Sequence, residues 1–478
     1  MNSLPVELTA LLPLWIVIVG ALALLLLEAL FHEEGRKTAP VLTGTVLVLS
    51  LGSVFHLLSL PAMPGALFHG SVVVDLYSLT LEGICLLSAL LTCVFSSSYL
   101  KQEKAVTGEY YALLLLAVSG MFTLVLAADF LTFFVGLELM SLVAYVLAGY
   151  LRVKERSTEA ALKYFMLGVF ASGFLLYGIA LLYGASGTLH FPDLRIYLEQ
   201  GHTSSLFVSL GAALLLVGLG FKVALVPFHG WAPDVYDGAP APVSALLSTG
   251  VKTAAFGAFT RLFAEAFGLP GAWVPALAVL AILTMTVGNL GALAQDSVKR
   301  MLAYSSVAHA GYLMVGLATV SLAPADEVER AVAFYLLAYT LMTAGAFGWI
   351  AWASGKGEAA TGIESYRGLG LKCPGVGLMM AFFMFSLAGM TPTAGFFGKY
   401  YLFKLAVDHG LIGLALVAVL NSFVSAYYYL RVVVFLYMKP SEEETFRQAR
   451  GGAAVVPAAW DLRLIFFFWL RIVSQRPT

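Results

Sequence analysis

The chain reads as an all-α polytopic membrane protein of about 14 transmembrane helices, with two inverted five-helix repeats that each contain a broken helix. Three observations predict this. Of 478 residues, 60% are hydrophobic and only 12% charged, against about 45–50% and about 25% in soluble domains, so most of the surface must face hydrocarbon. Apolar stretches of about 20 residues, enough to cross a bilayer core of about 30 Å, recur from one end of the chain to the other. The alternating ten-residue pattern of a transmembrane strand is absent, and in lipid a helix lets each segment satisfy its own backbone groups.

In order, the segments fall near 9–30, 40–60, 73–98, 110–128, 130–151, 159–184, 205–228, 243–266, 272–294, 301–322, 331–353, 374–399, 409–437 and 458–473. The first follows MNSLPVELTA, which has Glu7 and no basic stretch, so it reads as a retained helix and not a cleaved leader. The seventh and twelfth are interrupted by Pro227 and Pro392, since proline removes a backbone donor and clashes with the preceding turn. The last offers about 15 apolar residues between Arg463 and Arg471, short for a crossing. Glycines within the segments allow close backbone approach. The Trp residues and Tyr427, Tyr428 and Tyr429 read as an interfacial belt.

Alternate loops hold the basic residues: Arg36 and Lys37; Lys101 and Lys104; Arg152, Lys154 and Arg156; Lys299 and Arg300; Lys356, Arg367 and Lys372; Lys439, Arg447 and Arg450. Positive loops stay on the cytoplasmic side, which places both termini on the opposite side if the last segment spans. With 27 basic and 28 acidic residues the net charge is -1, which removes the basic face that nucleic-acid binding needs. Cys85, Cys93 and Cys373 have no ligand spacing, so they read as packing residues, with no metal site or cluster.

Laid on itself with an offset of about 165 residues, the chain matches sparsely. Asp129 falls on Asp296, Tyr145 on Tyr312 and Gly149 on Gly316; Phe221, Ala224, Pro227 and Gly230 resemble Phe385, Ala388, Pro392 and Gly395. Each copy holds five segments, an odd number, so the second enters from the opposite side. The organisation is thus an N-terminal three-helix segment (1–105), a first repeat (106–267), a second, inverted repeat (268–438), and a polar loop with a short last helix (439–478).

Interrupted helices at matching positions are the best sequence pointer to an ion site. Around them lie Glu138, Lys222, Lys252 and Lys399, with Glu82 and Lys163 nearer helix ends. Each costs about 2.5–3.5 kcal/mol at the bilayer centre on an insertion scale, so each needs a partner or water. Buried salt bridges that merely fix packing are the plain alternative, but lysines on four helices outnumber the acids available to them. Lysine suits proton transfer because desolvation favours its neutral form and a nearby carboxylate its charged form. His229 and His309, with Tyr304 nearby, are candidate links through water, or else hydrogen-bonded structural side chains. Asp129 and Asp296 at helix ends read as caps or loop anchors.

The runs FFVGLELMSLVAYVLAGY, FKVALVPFHGWAPDVYDGAPAPVSALLSTGVKTAAFGAFTRLF, VKRMLAYSSVAHAGYLMVGL and FSLAGMTPTAGFFGKYYLFK closely resemble the antiporter-like membrane subunits of bacterial NADH-quinone oxidoreductase, respiratory complex I. The resemblance covers roughly residues 70 to 440. It is nearest to the subunit N branch, because subunit M-like chains carry glutamate where Lys399 stands and subunit L-like chains extend into a long lateral helix. The resemblance implies a multi-pass protein of the bacterial inner membrane that translocates protons while quinone is reduced elsewhere in the complex. It implies no cofactor in this chain, with NADH, FMN, iron–sulfur clusters and quinone in partner subunits. Implied partners are sister antiporter-like subunits and small membrane subunits. By motif, Glu138 resembles the family glutamate, Lys222 its central lysine, Lys252 the relay lysine, Lys399 the second-half terminal lysine and Lys163 a connecting lysine. The competing expectation is a stand-alone or Mrp-like cation/proton antiporter subunit.

Overall fold

The computed structural model describes residues 4–268, 273–355, 358 and 360–440. The predicted last segment, 458–473, lies outside the described residues, as do Lys356, Arg447 and Arg450. The helices, in order, are α1 (Leu4–Ala10), α2 (Leu12–Leu30), α3 (His32–Leu58), α4 (Leu76–Glu103), α5 (Gly108–Leu126), α6 (Phe130–Ala148), α7 (Glu155–Ser186), α8 (Phe191–Glu199), α9 (Leu206–Lys222) and α10 (Trp231–Gly238). They continue as α11 (Ala241–Leu246), α12 (Lys252–Glu265), α13 (Val274–Leu293), α14 (Val298–Leu317), α15 (Ala325–Ala353), α16 (Leu369–Lys372), α17 (Pro374–Ala388), α18 (Ala394–Asp408) and α19 (Ile412–Met438). Among the described residues, 9 helices are long and apolar enough to cross a membrane. The apolar helices Leu206–Lys222 and Pro374–Ala388 are shorter, because a proline-containing break follows each of them.

Two features depart from a purely helical reading. A small antiparallel hairpin, β1 (Gly65–Leu67) with β2 (Val72–Val74), sits in the α3–α4 connection, where strands of three residues leave no periodic signal. The eighth predicted segment is not one α-helix: α11 passes through a π-helical turn, Leu247–Val251, into α12. A π turn shifts the register of everything after it, and it places Lys252 at the start of α12.

Side-chain caps define several helix starts. Asp75 and Ser78 form a capping box on α4, and Asp129 accepts from the Thr132 amide at 2.6 Å on α6. These bonds satisfy amides that lack an intrahelical partner. Asp296 does not cap its helix; Ser297 does, and Asp296 pairs with Arg431 of α19 at 2.7 Å.

The interior is tight where glycines meet backbone. A Cβ at Gly120 of α5 would lie 2.5 Å from the Met140 amide nitrogen, and one at Gly136 of α6 would lie 2.5 Å from that of Leu124. Helix association in lipid relies on such close packing. Gly136→Val is therefore expected to destabilise the α5–α6 pair by about 1–3 kcal/mol or more, read as a lower temperature of detergent-induced aggregation. An unchanged transition would show that the two backbones separate freely.

Candidate functional site

The first break joins α9 to α10 through residues 223–230, and its loose ends are bound locally. The Trp231 indole donates to the Phe221 carbonyl at 2.8 Å, and the Leu225 amide to that of Gly220 at 2.7 Å. Lys222, the last residue of α9, is 4% exposed. Its ammonium donates to the Ser141 hydroxyl at 2.7 Å and the Tyr164 hydroxyl at 3.4 Å, and lies 5.5 Å from the Tyr164 ring centre.

Lys222 and Glu138 do not form an ion pair. Glu138 instead accepts from Ser172 of α7. Ser141 and Ser172, the hydroxyls that hold the two charges, line one cavity of about 10 Å³ beside Lys222, close to the volume one water needs. Because Ser141 lies three residues after Glu138, both project from one face of α6.

In the second break, Gly389 ends α17 with φ +81°, a conformation that glycine adopts without a Cβ clash. Lys399 of α18 reaches back over it and donates to the carbonyls of Leu387 at 3.2 Å and Ala388 at 3.0 Å, and to the Ser422 hydroxyl at 2.9 Å. A cation at a helix C-terminus satisfies carbonyls that lack amide partners and complements the helix dipole. The two broken helices thus carry their lysines differently: Lys222 before its break, Lys399 after it.

Between them, Lys252 is 2% exposed and donates to the Ser306 carbonyl at 2.6 Å and to the Ser306 hydroxyl. It lies 5.7 Å from the Tyr339 ring centre. His309, one turn beyond Ser306 on α14, stacks obliquely on Tyr339 at 4.9 Å. One ring nitrogen of His309 bonds the Tyr335 hydroxyl at 2.6 Å and the other the Tyr429 hydroxyl at 3.1 Å. Tyr312 touches the His309 ring at 5.6 Å on one side and lies 5.0 Å from the Lys399 ammonium on the other.

The gap from Lys222 to Lys252 is filled likewise. Tyr164 stacks on Trp231 at 4.4 Å, Trp231 meets Tyr236 at 5.8 Å, and the Tyr236 hydroxyl donates to the Leu247 carbonyl at 3.3 Å, close to Ser306. A continuous run of polar and aromatic side chains therefore links the three buried lysines. It crosses α9, α7, α10, α14, α12, α15 and α18.

Lys163 lies apart from this run. Its side chain is 43% exposed and pairs with Glu159 at 2.8 Å and Asp234 at 2.9 Å. His229 lies within the first break, with its buried Nδ1 unpartnered. Tyr304 packs on Gly291 of α13, and not on His309, because five residues on a helix turn a side chain about 140° away. Glu82 of α4 is 2% exposed, with one carboxyl oxygen unpartnered, and also stands outside the run.

The tyrosine cluster is corrected in part. Tyr427 is exposed, but Tyr428 and Tyr429 are buried. Tyr428 donates to Asn289 at 2.9 Å, and Tyr429 reaches His309 and Ser305. The helical period turns one of three consecutive side chains to lipid and the other two toward α13 and α14. Sequence reasoning also missed Tyr335, Tyr339, Tyr312, Ser306 and Ser141. An i, i+4 spacing of Tyr335 and Tyr339 inside an apolar helix was the available signal.

Comparison with known proteins identifies what carries this arrangement. Residues 127–425 match the family described as NADH:quinone oxidoreductase/Mrp antiporter, TM. The chain is 48% identical over 379 residues to NADH-quinone oxidoreductase subunit N of Trichlorobacter lovleyi, covering 79% of this chain and 77% of that one. It is 40% identical over 466 residues to subunit N 1 of Solibacter usitatus, covering 96% and 94%. The chain belongs to the subunit N family of NADH-quinone oxidoreductase. Subunit N proteins are antiporter-like membrane subunits of complex I, and this one is a multi-pass membrane protein.

Among solved structures, this subunit N family member is similar to a chain of respiratory complex I from Thermus thermophilus with bound Aureothin. The TM-score is 0.76 and the identity 36%, over 94% of this chain and 97% of that one. A chain of the Mrp complex from Dietzia sp. DQ12-45-1b is also similar, with a TM-score of 0.79 and 26% identity over 91% and 81%. Among the described residues, no group of three or more His, Cys, Asp or Glu side chains could hold a metal ion.

Proposed function

We propose that this chain conducts protons across the membrane through Glu138, Lys222, Lys252, His309 and Lys399, driven by quinone reduction elsewhere in an assembled NADH-quinone oxidoreductase. The observation that carries the reading is the polar and aromatic run joining three lysines, each under 5% exposed. Amines bonded to hydroxyls, which both donate and accept, are placed to exchange protons along such a run.

In this mechanism Lys222 keeps its proton while Glu138 stays charged nearby, with Ser141 and Ser172 transmitting the coupling. Movement in a neighbouring subunit withdraws the carboxylate or supplies it with a proton, which favours the neutral amine. The released proton passes by the hydroxyls of Tyr164, Tyr236 and Ser306, with intervening water, to Lys252. His309 then hands it toward Lys399 through Tyr335 or Tyr429, past Tyr312, using one ring nitrogen to accept and the other to donate. Lys163, His229 and Tyr304 act at the margins, as connecting groups.

The same reading assigns the finer architecture: 14 transmembrane helices, with 106–267 and 268–438 as inverted repeats around Pro227 and Pro392. It makes the chain a translocase subunit without its own redox centre. NADH, FMN, iron–sulfur clusters and quinone belong to partner subunits, and sister antiporter-like subunits and small membrane subunits flank the chain. The likeness to the Mrp complex favours one second reading, a cation/proton antiporter subunit, and co-purification with flavin and iron–sulfur subunits separates the two. Lys252→Met in the complex reconstituted in liposomes is expected to lower acidification per NADH oxidised by several-fold. Full acidification by an intact complex would overturn the assignment.

A further inference from the structure

One end of the molecule carries a polar assembly that the relay does not use. Lys299, the second residue of α14, is 0% exposed; its ammonium donates to the Ala239 carbonyl at 2.5 Å and to Glu358 at 2.5 Å. The other oxygen of Glu358 accepts from the Tyr99 hydroxyl of α4 at 2.7 Å and from the Ala241 amide at 2.8 Å. A single carboxylate thus ties α4, α11 and α14 together.

Glu358 also lines a polar cavity of about 50 Å³ with Lys154, Arg156, Asp237 and Tyr99, large enough for water. The charged and titratable groups facing it come from every side. Lys154 precedes α7 and Arg156 lies in its first turn, with Glu103 of α4 on Lys154 at 3.0 Å. Asp237 of α10 accepts from Ser297 at 3.2 Å. The Tyr366 hydroxyl donates nearby to the Ala360 carbonyl at 2.9 Å. This end bears Lys101, Lys104, Arg152, Lys154, Arg156, Lys299 and Arg300, which makes it the cytoplasmic end by charge bias.

Ser306, the partner of Lys252, lies two turns further along α14 from Lys299, about 10 Å away, and on the same face. Tyr236, adjacent to the cavity residue Asp237, donates its hydroxyl to the Leu247 carbonyl at 3.3 Å, close to Ser306.

We propose that Glu358 collects protons from cytoplasmic water for Lys252, with Lys299 holding its carboxylate at the mouth of the route. The carboxylate takes a proton from hydronium and leaves water. The carboxylic acid then gives that proton through cavity water, Tyr236 and Ser306 to the neutral Lys252 amine, forming the ammonium and restoring the carboxylate. A group that only bound helices together would need no water-sized cavity lined by charged side chains beside it. The inference rests on the relay reading of Lys252.

The test uses the assembled complex in liposomes, with Glu358→Gln, Glu358→Asp and Lys252→Met compared. Glu358→Gln keeps an acceptor for Tyr99 and the Ala241 amide but cannot take up a proton. The initial acidification rate is expected to fall about tenfold while NADH-to-ferricyanide oxidation is unchanged. Glu358→Asp is expected to pump with a displaced pH profile. Normal pumping by Glu358→Gln, or an unshifted profile in Glu358→Asp, overturns the inference. So does failure of both variants to assemble, which would leave the carboxylate as a structural tie. If Lys252→Met itself pumps normally the relay reading fails; if it loses pumping while Glu358→Gln does not, the intake route alone is wrong.

Discussion

Lys222→Met is expected to remove proton pumping through this subunit from an assembled complex that still oxidises NADH. Proton-transfer groups contribute about 10²–10⁴-fold to the steps they serve, and Lys222 stands at the start of the run with no neighbouring amine to replace it. The fold should tolerate the change. Methionine is unbranched and fills irregular space, and a volume-conserving swap of this kind costs less than about 1.5 kcal/mol. Ser141 still donates to the Leu137 carbonyl at 2.5 Å, so only hydroxyl lone pairs, on Ser141 and Tyr164, are left empty. An unpaired donor would cost more. Acidification of liposomes, normalised to NADH oxidised, separates lost pumping from lost electron transfer. A normal ratio in Lys222→Met would remove Lys222 from the relay.

Lys399→Met should be more damaging, because two functions meet in one side chain. The ammonium fills the carbonyls of Leu387 and Ala388 at the end of α17 and the hydroxyl of Ser422. Leaving a buried carbonyl unsatisfied costs about 1–3 kcal/mol, and the lost cation at the helix C-terminus adds about 0.3–1 kcal/mol. Reduced thermal stability of the complex and absent pumping are both expected. Lys399→Arg separates them: guanidinium keeps the donors but does not give up its proton at accessible pH. Arginine should therefore restore much of the stability and none of the pumping. Full pumping by the arginine variant would show that Lys399 serves only as a helix cap.

The charges were legible in the sequence because ionisable residues inside apolar segments are conspicuous, and the proline breaks because Pro227 and Pro392 recur at one offset. Their partners were not. Tyrosine and serine are common in membrane helices as belt residues or packing, so nothing in composition distinguishes Tyr335 or Ser306 from the rest. Burial of Tyr428 and Tyr429 beside exposed Tyr427 depends on which face of α19 meets its neighbours. The placement of Glu138 relative to Lys222 also exceeds what residue types can say. Each binds a serine, and that follows from the rotation of α6 against α7 and α9. The π-helical turn ahead of Lys252 packs against α4 and α15, and no local periodicity records it.

Ordered water in a high-resolution structure of the assembled complex tests the central claim most directly. Density should bridge the cavity between Ser172 and Lys222 and the steps from Tyr164 to Lys252 and from His309 to Lys399, giving an unbroken chain of hydrogen bonds at mid-membrane depth. Dry side-chain packing across any of those steps, in every state of the catalytic cycle, would contradict it.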